Sequence, residues 1–502
     1  MKTRTGLGVA GTIILAVLAL MSPPATAGQG DMVDGRFSTC FWNYGAFGVN
    51  DFNIAYPDAG ATYWVAGFRR PPGSELTLNG RFPHSRYMAI QSYDTLGRGV
   101  DALADYQIDP DPGSVNPFRN RASRTTRKRD YRIDVIDAKN PGFPLEAFSG
   151  EPRRNSIHVI PGYGPITETD GSGTHELNVL MLRVYVPDKG TDLTGGVGLP
   201  EPTLTLADGT VLEGQALCDA LDSESKALGH TRVPDPGALL ISTDTYRAMR
   251  YPNELVAPVN VFGTLKSVPR EVPSWFPAVR KGEWRAQYDR RYLLQLWTGD
   301  DAPGAVAVPP ARSASGGFFP NVHNAYLRTV INRHFGKVAV FRGKLPTSPA
   351  TLRGNRRMGA GQVRYTSFCM NEAPQSTRVT DCAYDEQVPT GRKGYYTIVI
   401  SRAADRPATA RYSCGKAWIR WSRTGDGDLD RDFGWFQVRN MLPSRRFKHA
   451  IQLTSTPGDE AEVVGPYLPK LKYFANSREF RRSGLGKCSK SRPRAIRRGS
   501  SR

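Results

Sequence analysis

After its first 21 positions the 502-residue sequence has no run of about 18 apolar residues, so nothing later in the chain reads as a membrane-crossing helix. The short catalytic motifs are missing as well: there is no G-x-S-x-G, H-E-x-x-H or G-x-x-x-x-G-K-[ST], and no G-x-G-x-x-G between a strand and a helix. Histidine is scarce. There are seven, no two nearer than 11 positions (His323 and His334), and His175-Glu176 lacks a second His one helical turn on. No C-x-x-C occurs, which removes the usual zinc spacing. Acidic residues fall short of basic ones, 47 against 67, giving a formal charge of +20. With 39% hydrophobic residues the chain is still too apolar to be disordered.

What is present begins with an address. Lys2 and Arg4 precede an apolar run over residues 7–21, and Ala25-Thr26-Ala27 supplies a small-x-small cleavage pattern, so residues 1–27 read as a signal peptide. The expected mature protein is secreted, extracellular or wall-associated, with no transmembrane span. Six cysteines (40, 218, 369, 382, 414 and 488) in an exported chain read as disulfides. Six allow 15 pairings, and sequence does not choose among them. The one pair the spacing favours is Cys369 with Cys382, because a short loop between two strands would join them.

The chain resembles itself. Residues 63–84, YWVAGFRRPPGSELTLNGRFPH, align without gaps with 326–347, YLRTVINRHFGKVAVFRGKLPT. Arg86-Tyr87 then matches Arg364-Tyr365, Asp105 matches Asp385, Tyr131 matches Tyr396, and Leu182-Arg183 matches Val438-Arg439. The first copy carries about 15 extra residues within the basic stretch 114–130. The blocks are short, rich in β-branched and aromatic residues, and separated by turn signals such as Pro72-Gly73, Asp208-Gly209 and Asp426-Gly427. They predict a mainly all-β chain: two tandem, related antiparallel β-sandwich or jelly-roll-like domains with a few short helices. Helical spacing is best over 214–228, with 283–296 second. The expected layout is a first domain at 28–235, a connecting segment at 236–320 containing a Pro/Gly-rich loop, a second domain at 321–486 and a basic disordered tail at 487–502.

Several strings carry a wider likeness: Arg364-Tyr-Thr-Ser-Phe-Cys369 with Cys382, Gly394-Tyr-Tyr-Thr-Ile-Val-Ile-Ser401, Arg406-Pro407, Arg439-Asn-Met-Leu-Pro443, Asn53-Ile-Ala-Tyr-Pro57 and Arg81-Phe-Pro-His-Ser-Arg-Tyr87. In these the chain resembles a family of uncharacterised secreted bacterial proteins with two related halves. The resemblance implies an exported β-rich protein and brings no catalytic residues with it.

Chemistry has few candidates. His84 has no counterpart in the second copy, where Thr347 stands, and so reads as an acid–base candidate beside Tyr87. Asp105 and Asp385 occupy matched positions, which suits a general base or a sugar-hydroxyl acceptor, and equally a turn cap or the partner of a buried arginine such as Arg183 or Arg439. Arg86, Arg183, Asp385 and Arg439 are the candidate ligand-binding set. Asp426, Asp428, Asp430 and Asp432 alternate as calcium ligands do, although the EF-hand pattern fails at Arg431 and Gln437. No other cofactor is implied.

Charge is the clearer signal. Residues 119–132 carry +6 and residues 487–502 carry +7, together most of the excess. The tail has no aromatic residue to stack on bases, so specific nucleic-acid reading is not expected. The expectation is a non-catalytic envelope or extracellular protein binding an anionic cell-wall polymer, a glycan or a membrane surface. The alternative is a secreted hydrolase or lyase on a polymer or lipid, with its site in the first domain. A metal-dependent oxygenase ranks last, for want of a closely spaced His pair.

Overall fold

The computed structural model describes residues 39–51, 53–94, 97–138, 140, 152–160, 177–227, 243–250, 276–286, 319–359 and 361–488. The signal segment, most of the connecting segment and residues 489–502 of the basic tail lie outside the described residues. The chain forms two compact units: Met1–Tyr246 with Ser313–Asn324 and Pro349–Ala360, and Arg247–Arg312 with Ala325–Ser348 and Gly361–Arg502. The division therefore does not follow sequence order, since two pieces of the second half belong to the first unit.

The first unit contains β1 (Tyr44–Phe47), β2 (Ala61–Phe68), β3 (Glu75–Arg81), β4 (Ser85–Tyr93), β5 (Gly99–Ala104), β6 (Asp130–Ile136), β7 (Ser156–His158), β8 (Asn178–Pro187), β9 (Glu201–Thr205) and β10 (Val211–Leu212). They form two sheets, ordered β1-β2-β8-β4-β5 and β10-β9-β3-β6-β7. The second unit contains β11 (Arg285–Ala286), β12 (Asn324–Asn332), β13 (Val338–Lys344), β14 (Tyr365–Asn371), β15 (Val379–Tyr384), β16 (Tyr395–Ser401), β17 (Ala417–Arg420), β18 (Phe433–Met441) and β19 (Lys470–Phe474). Its sheets run β11-β12-β18-β14-β15 and β17-β16-β13-β19. Apart from β10, which has no counterpart in the four-stranded sheet of the second unit, the two orders coincide, down to a single parallel pairing in each unit, β6 with β7 and β16 with β17. The fold is mainly β with a few short helices, and among the described residues the longest helix is α1, Gly214–Ala227. The second stretch with helical spacing, 283–296, differs from expectation. Arg285 and Ala286 pair as a strand with Arg328 and Leu327, and the residues from 287 onward lie outside the described residues.

The period of the sequence explains the layering. In β3 and β6, Leu76, Leu78, Ile133 and Val135 point inward while Glu75, Asn79, Arg132 and Asp134 stay outside, as a half-solvated sheet requires. β2, β4 and β8 are buried on both faces along almost their whole length. One of those faces supplies Trp64, Phe68, Met88, Ile90, Leu180 and Leu182 to the core between the sheets. Matched indole anchors close an edge of each unit: Trp42 Nε1 donates to the Pro200 carbonyl and Trp284 Nε1 to that of Pro469, both at 2.8 Å.

All six cysteines are bonded: Cys40–Cys218, Cys369–Cys382 and Cys414–Cys488. Cys369 and Cys382 stand directly opposite one another on β14 and β15. Cys40–Cys218 ties the segment before β1 to α1 and closes a sequence span of 178 residues.

The repeated glycine of the two aligned blocks has a steric cause. Gly80 lies opposite Tyr131 and Gly343 opposite Tyr396. A Cβ on Gly80 would fall 2.5 Å from the Tyr131 hydroxyl, and one on Gly343 would fall 2.9 Å from that of Tyr396. Both phenols are fully buried and cannot move aside. Gly80→Ala is accordingly expected to cost about 1–3 kcal/mol through overpacking, read as a lower urea midpoint, whereas Gly113→Ala at an open turn costs only its backbone strain.

Candidate functional site

Three clusters hold the polar chemistry of the described residues. The first is the outer face of the β1-β2-β8-β4-β5 sheet. There Arg183, fully buried, reaches Gln91 Oε1, the Tyr93 hydroxyl at 2.6 Å and the Phe319 carbonyl at 2.8 Å. Its guanidinium lies over the rings of Tyr63 and Tyr93 at 5.8 and 5.4 Å. The Tyr87 hydroxyl is 2.6 Å from His323 Nδ1, and Gln91 donates to Asn321 at 2.9 Å. Burial, with Tyr185 and Asp105 nearby, pushes the Tyr87 phenol well above its ordinary value. The corresponding face of the second unit repeats the theme: Arg439 lies over Tyr326 at 5.2 Å, and Arg328 over Trp435 at 5.1 Å while donating to Gln437 at 2.6 Å. These networks lock the sheet faces.

The sequence candidates separate. Tyr87 and Arg183 belong to that buried face. Arg86 instead donates to Thr351 Oγ1 at 2.9 Å. Asp105 opens a 3-10 turn and accepts the Met88 N–H at 2.9 Å, and Asp385 does the same for Thr366 at 3.2 Å. In both turns a glutamine, Gln107 or Gln387, accepts a backbone N–H of its own turn. The paired aspartates thus brace a strand in each unit, and Arg439 sits with Tyr326 and Ser367. His84 is half-buried elsewhere, with its backbone bonded to Gly195 and Asp188.

The calcium expectation for Asp426, Asp428, Asp430 and Asp432 gains no support from the donors around them. The Asp426 carboxylate accepts the N–H groups of Asp428 and Asp430, and Asp430 accepts from Asp432 N–H and the Asn332 amide. Asp428 is held by Arg247, and Asp432 by Arg333 and Arg402. Those oxygens are turned onto protein donors. Among the described residues, no group of three or more His, Cys, Asp or Glu side chains is placed to hold a metal ion.

The second cluster is a basic surface that the sequence splits in two. Between the 3-10 turn ending at Gln107 and β6 the first unit has a loop of 22 residues, where the second unit, between Gln387 and β16, has 7. Within that loop the Arg124 N–H donates to the Arg356 carbonyl at 2.9 Å, its guanidinium donates to the Asn355 carbonyl at 2.8 Å, and Ser123 bridges to Arg357. Met358 in the core and Thr351 against Arg86 fix the second loop in place. Arg121, Arg127, Lys128, Arg356 and Arg357 are exposed, and among the described residues no carboxylate pairs with them. Beneath them Arg124 is paired with Asp188, while Arg129 donates to the carbonyls of Phe82, Arg124 and Thr126. The field is strong enough to register on its neighbours. Burial, then Arg81 and Arg124, lowers Arg129 to about 10. Burial, then Arg129, lowers His84, with Arg124 and Arg81 adding to the effect and Asp188 opposing it.

The third cluster was not legible as a motif. Asp101 on β5 has no side-chain exposure, and its carboxylate accepts two bonds from Arg154 (2.7 and 2.8 Å), one from Asn140 (2.7 Å), the His158 N–H (2.9 Å) and the His158 ring at Nδ1 (3.0 Å). Burial alone would push this carboxyl up, but Arg154 and the His158 donors outweigh it and hold the group below its ordinary value. At the corresponding place in the second unit, Asp381 accepts the Arg420 N–H at 2.8 Å, and there burial prevails and raises the carboxyl.

No family model matches the chain, and no curated protein matches it. Among solved structures, an uncharacterised protein from Burkholderia cenocepacia aligns over 81% of this chain and 77% of its own, at 11% identity and a TM-score of 0.38. The VPA0106 protein from Vibrio parahaemolyticus aligns over 83% and 89%, at 12% identity and a TM-score of 0.33.

The two aspartates are expected to respond oppositely to neutralisation. Asp101→Asn strips the charge partner from Arg154 and should cost about 3 kcal/mol at neutral pH, the low end for a buried pair because Arg154 keeps some solvent. Since the folded pKa of Asp101 is depressed, that loss should shrink as pH falls through it. Asp381→Asn keeps an oxygen for the Arg420 N–H and should be neutral or slightly stabilising. Urea denaturation of both variants at neutral and acid pH checks the pair.

Proposed function

We propose that the chain is an exported protein of the cell envelope or extracellular space, built from two related β-sandwich units, that binds an anionic polymer without transforming it. One observation carries the reading: five exposed, unpaired cations from two loops more than 200 positions apart are hydrogen-bonded into one surface on the first unit. Such a surface attracts a chain of negative charges, and the arginine-rich content favours phosphate or other oxyanion groups over a single carboxylate. The long loop that forms half of it has no equivalent of its length in the second unit, which is what a functional insertion on a common scaffold would leave. Three disulfides, no helix among the described residues long and apolar enough to cross a membrane, and the signal-like first 27 residues support export. The coincident strand orders support a duplication. The second basic stretch, 487–502, would add attraction without specificity.

Retention on immobilised inorganic polyphosphate tests this. Retention is expected to weaken at least about tenfold between ~50 and ~200 mM salt, because counterions are released on binding. The variant Arg121→Glu/Arg356→Glu/Arg357→Glu should abolish it with the fold intact, and removal of residues 489–502 should weaken it. Occupancy should also raise the pKa of His84, followed by NMR, because an anion offsets the arginine field that adds to burial in lowering it. Retention indifferent to salt and to both changes would overturn the reading.

A further inference from the structure

The anion-binding reading leaves the third cluster unused, and a comparison of the two units shows that part of it is more than scaffold. Both units place an aspartate at the matched point of the last strand of their first sheet, Asp101 on β5 and Asp381 on β15, opposite Ser92 and Met370. Both carboxylates accept the backbone N–H of the residue at the matching step of the parallel edge strand: His158, level with Ile136, and Arg420, level with Ser401. That contact fastens the edge strand, and the second unit obtains it with a backbone donor alone. Its Arg420 guanidinium turns away to the Thr380 carbonyl at 3.1 Å. In the first unit the same carboxylate oxygen also meets an imidazole, and the carboxylate is kept ionised by a two-bond arginine. The imidazole and Arg154 are additions that the strand does not require.

The geometry points to His158 as the acid–base residue of an ester-hydrolysing site in the first unit, with Asp101 as its positioning residue. His158 Nδ1 lies 3.0 Å from the Asp101 carboxylate and 3.5 Å from the Arg154 guanidinium, and the shorter contact, to an acceptor, favours the tautomer with its N–H at Nδ1 and a lone pair on Nε2. The His158 side chain is 20% exposed, so solvent reaches the residue while the carboxylate behind it is dry. In the step this allows, Nε2 takes a proton from water as the water oxygen adds to the ester carbonyl carbon. The C–O bond then breaks, and the imidazolium returns the proton to the departing alkoxide, giving a carboxylic acid and an alcohol. A single imidazole delivers one proton, which is what an ester oxygen needs to leave. Arg154 is committed to Asp101 and the Ala102 carbonyl, and the His158 N–H is committed to Asp101, so the substrate is a neutral ester with a good leaving group.

Turnover of 4-nitrophenyl acetate by the full chain, followed for many equivalents, tests the assignment. Multiple turnovers are expected, with His158→Gln lowering the rate about 100-fold or more, and with His334→Gln, a residue of the second unit, leaving it unchanged. Far-UV circular dichroism of each variant confirms the fold. Nitrogen NMR of the wild type should show His158 protonated at Nδ1 and bare at Nε2. A wild-type rate in folded His158→Gln, absence of multiple turnover in the wild type, or a dominant Nε2–H tautomer would each overturn the proposal.

Discussion

Each unit contains a sheet whose strands are buried on both faces, and this burial governs what those strands can carry. Their backbone groups pair within the ladder, but any polar side chain on the outer face has lost water and must be satisfied by protein. That is why Arg183 and Arg439 are stacked on tyrosines and bonded to hydroxyl, amide or carbonyl oxygens. It is also why the Tyr87, Gln91 and His323 side chains meet there, although Arg183 Nε and Asn321 Nδ2 beside them are buried without a hydrogen-bond partner among the described residues. A matched arginine in two copies reads in sequence as a binding residue, whereas under this constraint it is the price of a polar residue on a covered face. The half-solvated second sheet is free of the demand, and its outward Asn79, Arg132 and Asp134 need only water or weak surface pairs.

The strand architecture was legible because alternation of side chains encodes a half-buried strand directly, as in β6, where Tyr131, Ile133 and Val135 are buried and Arg132, Asp134 and Ile136 are not. The repeat was legible for the same reason, with Gly80 and Gly343 marking where a buried phenol crosses the neighbouring strand. The site was less so. The basic loop at 119–129 was visible as composition, but its partner at 353–357 was not, since nothing local says that a short run of arginines folds onto a loop more than 200 positions earlier. His158 carried no pattern of its own. The signal that could have found it was the offset that matches Asp105 with Asp385, because the same offset matches Asp101 with Asp381. The aspartates at 426–432 are ambiguous in sequence because a self-bonded turn and a cation loop use the same spacing of carboxylates, and only the direction of the donors separates them.

Strand orders that match except for β10 make the other differences between the units informative. One has a long basic insertion where the other has a tight connection. One has a loaded, ionised carboxylate where the other has a lightly bonded carboxylate pushed toward its neutral form. Both departures fall in the first unit, and both leave the ladder and the core unchanged. Scaffold and chemistry are therefore separable here: the shared features are those that packing needs, and the unshared ones are where function is to be sought.

Because Met358 and Thr351 belong to the first unit while the residues on either side of them in sequence belong to the second, the two halves of the chain cannot mature one after the other. A domain made of contiguous sequence can close as soon as its last strand emerges. Here the first unit waits for position 360, by which point β11, β12 and β13 of the second have already appeared. An unfinished first unit must keep its core accessible throughout that interval, so this connectivity suits folding of the whole chain better than folding piece by piece during synthesis.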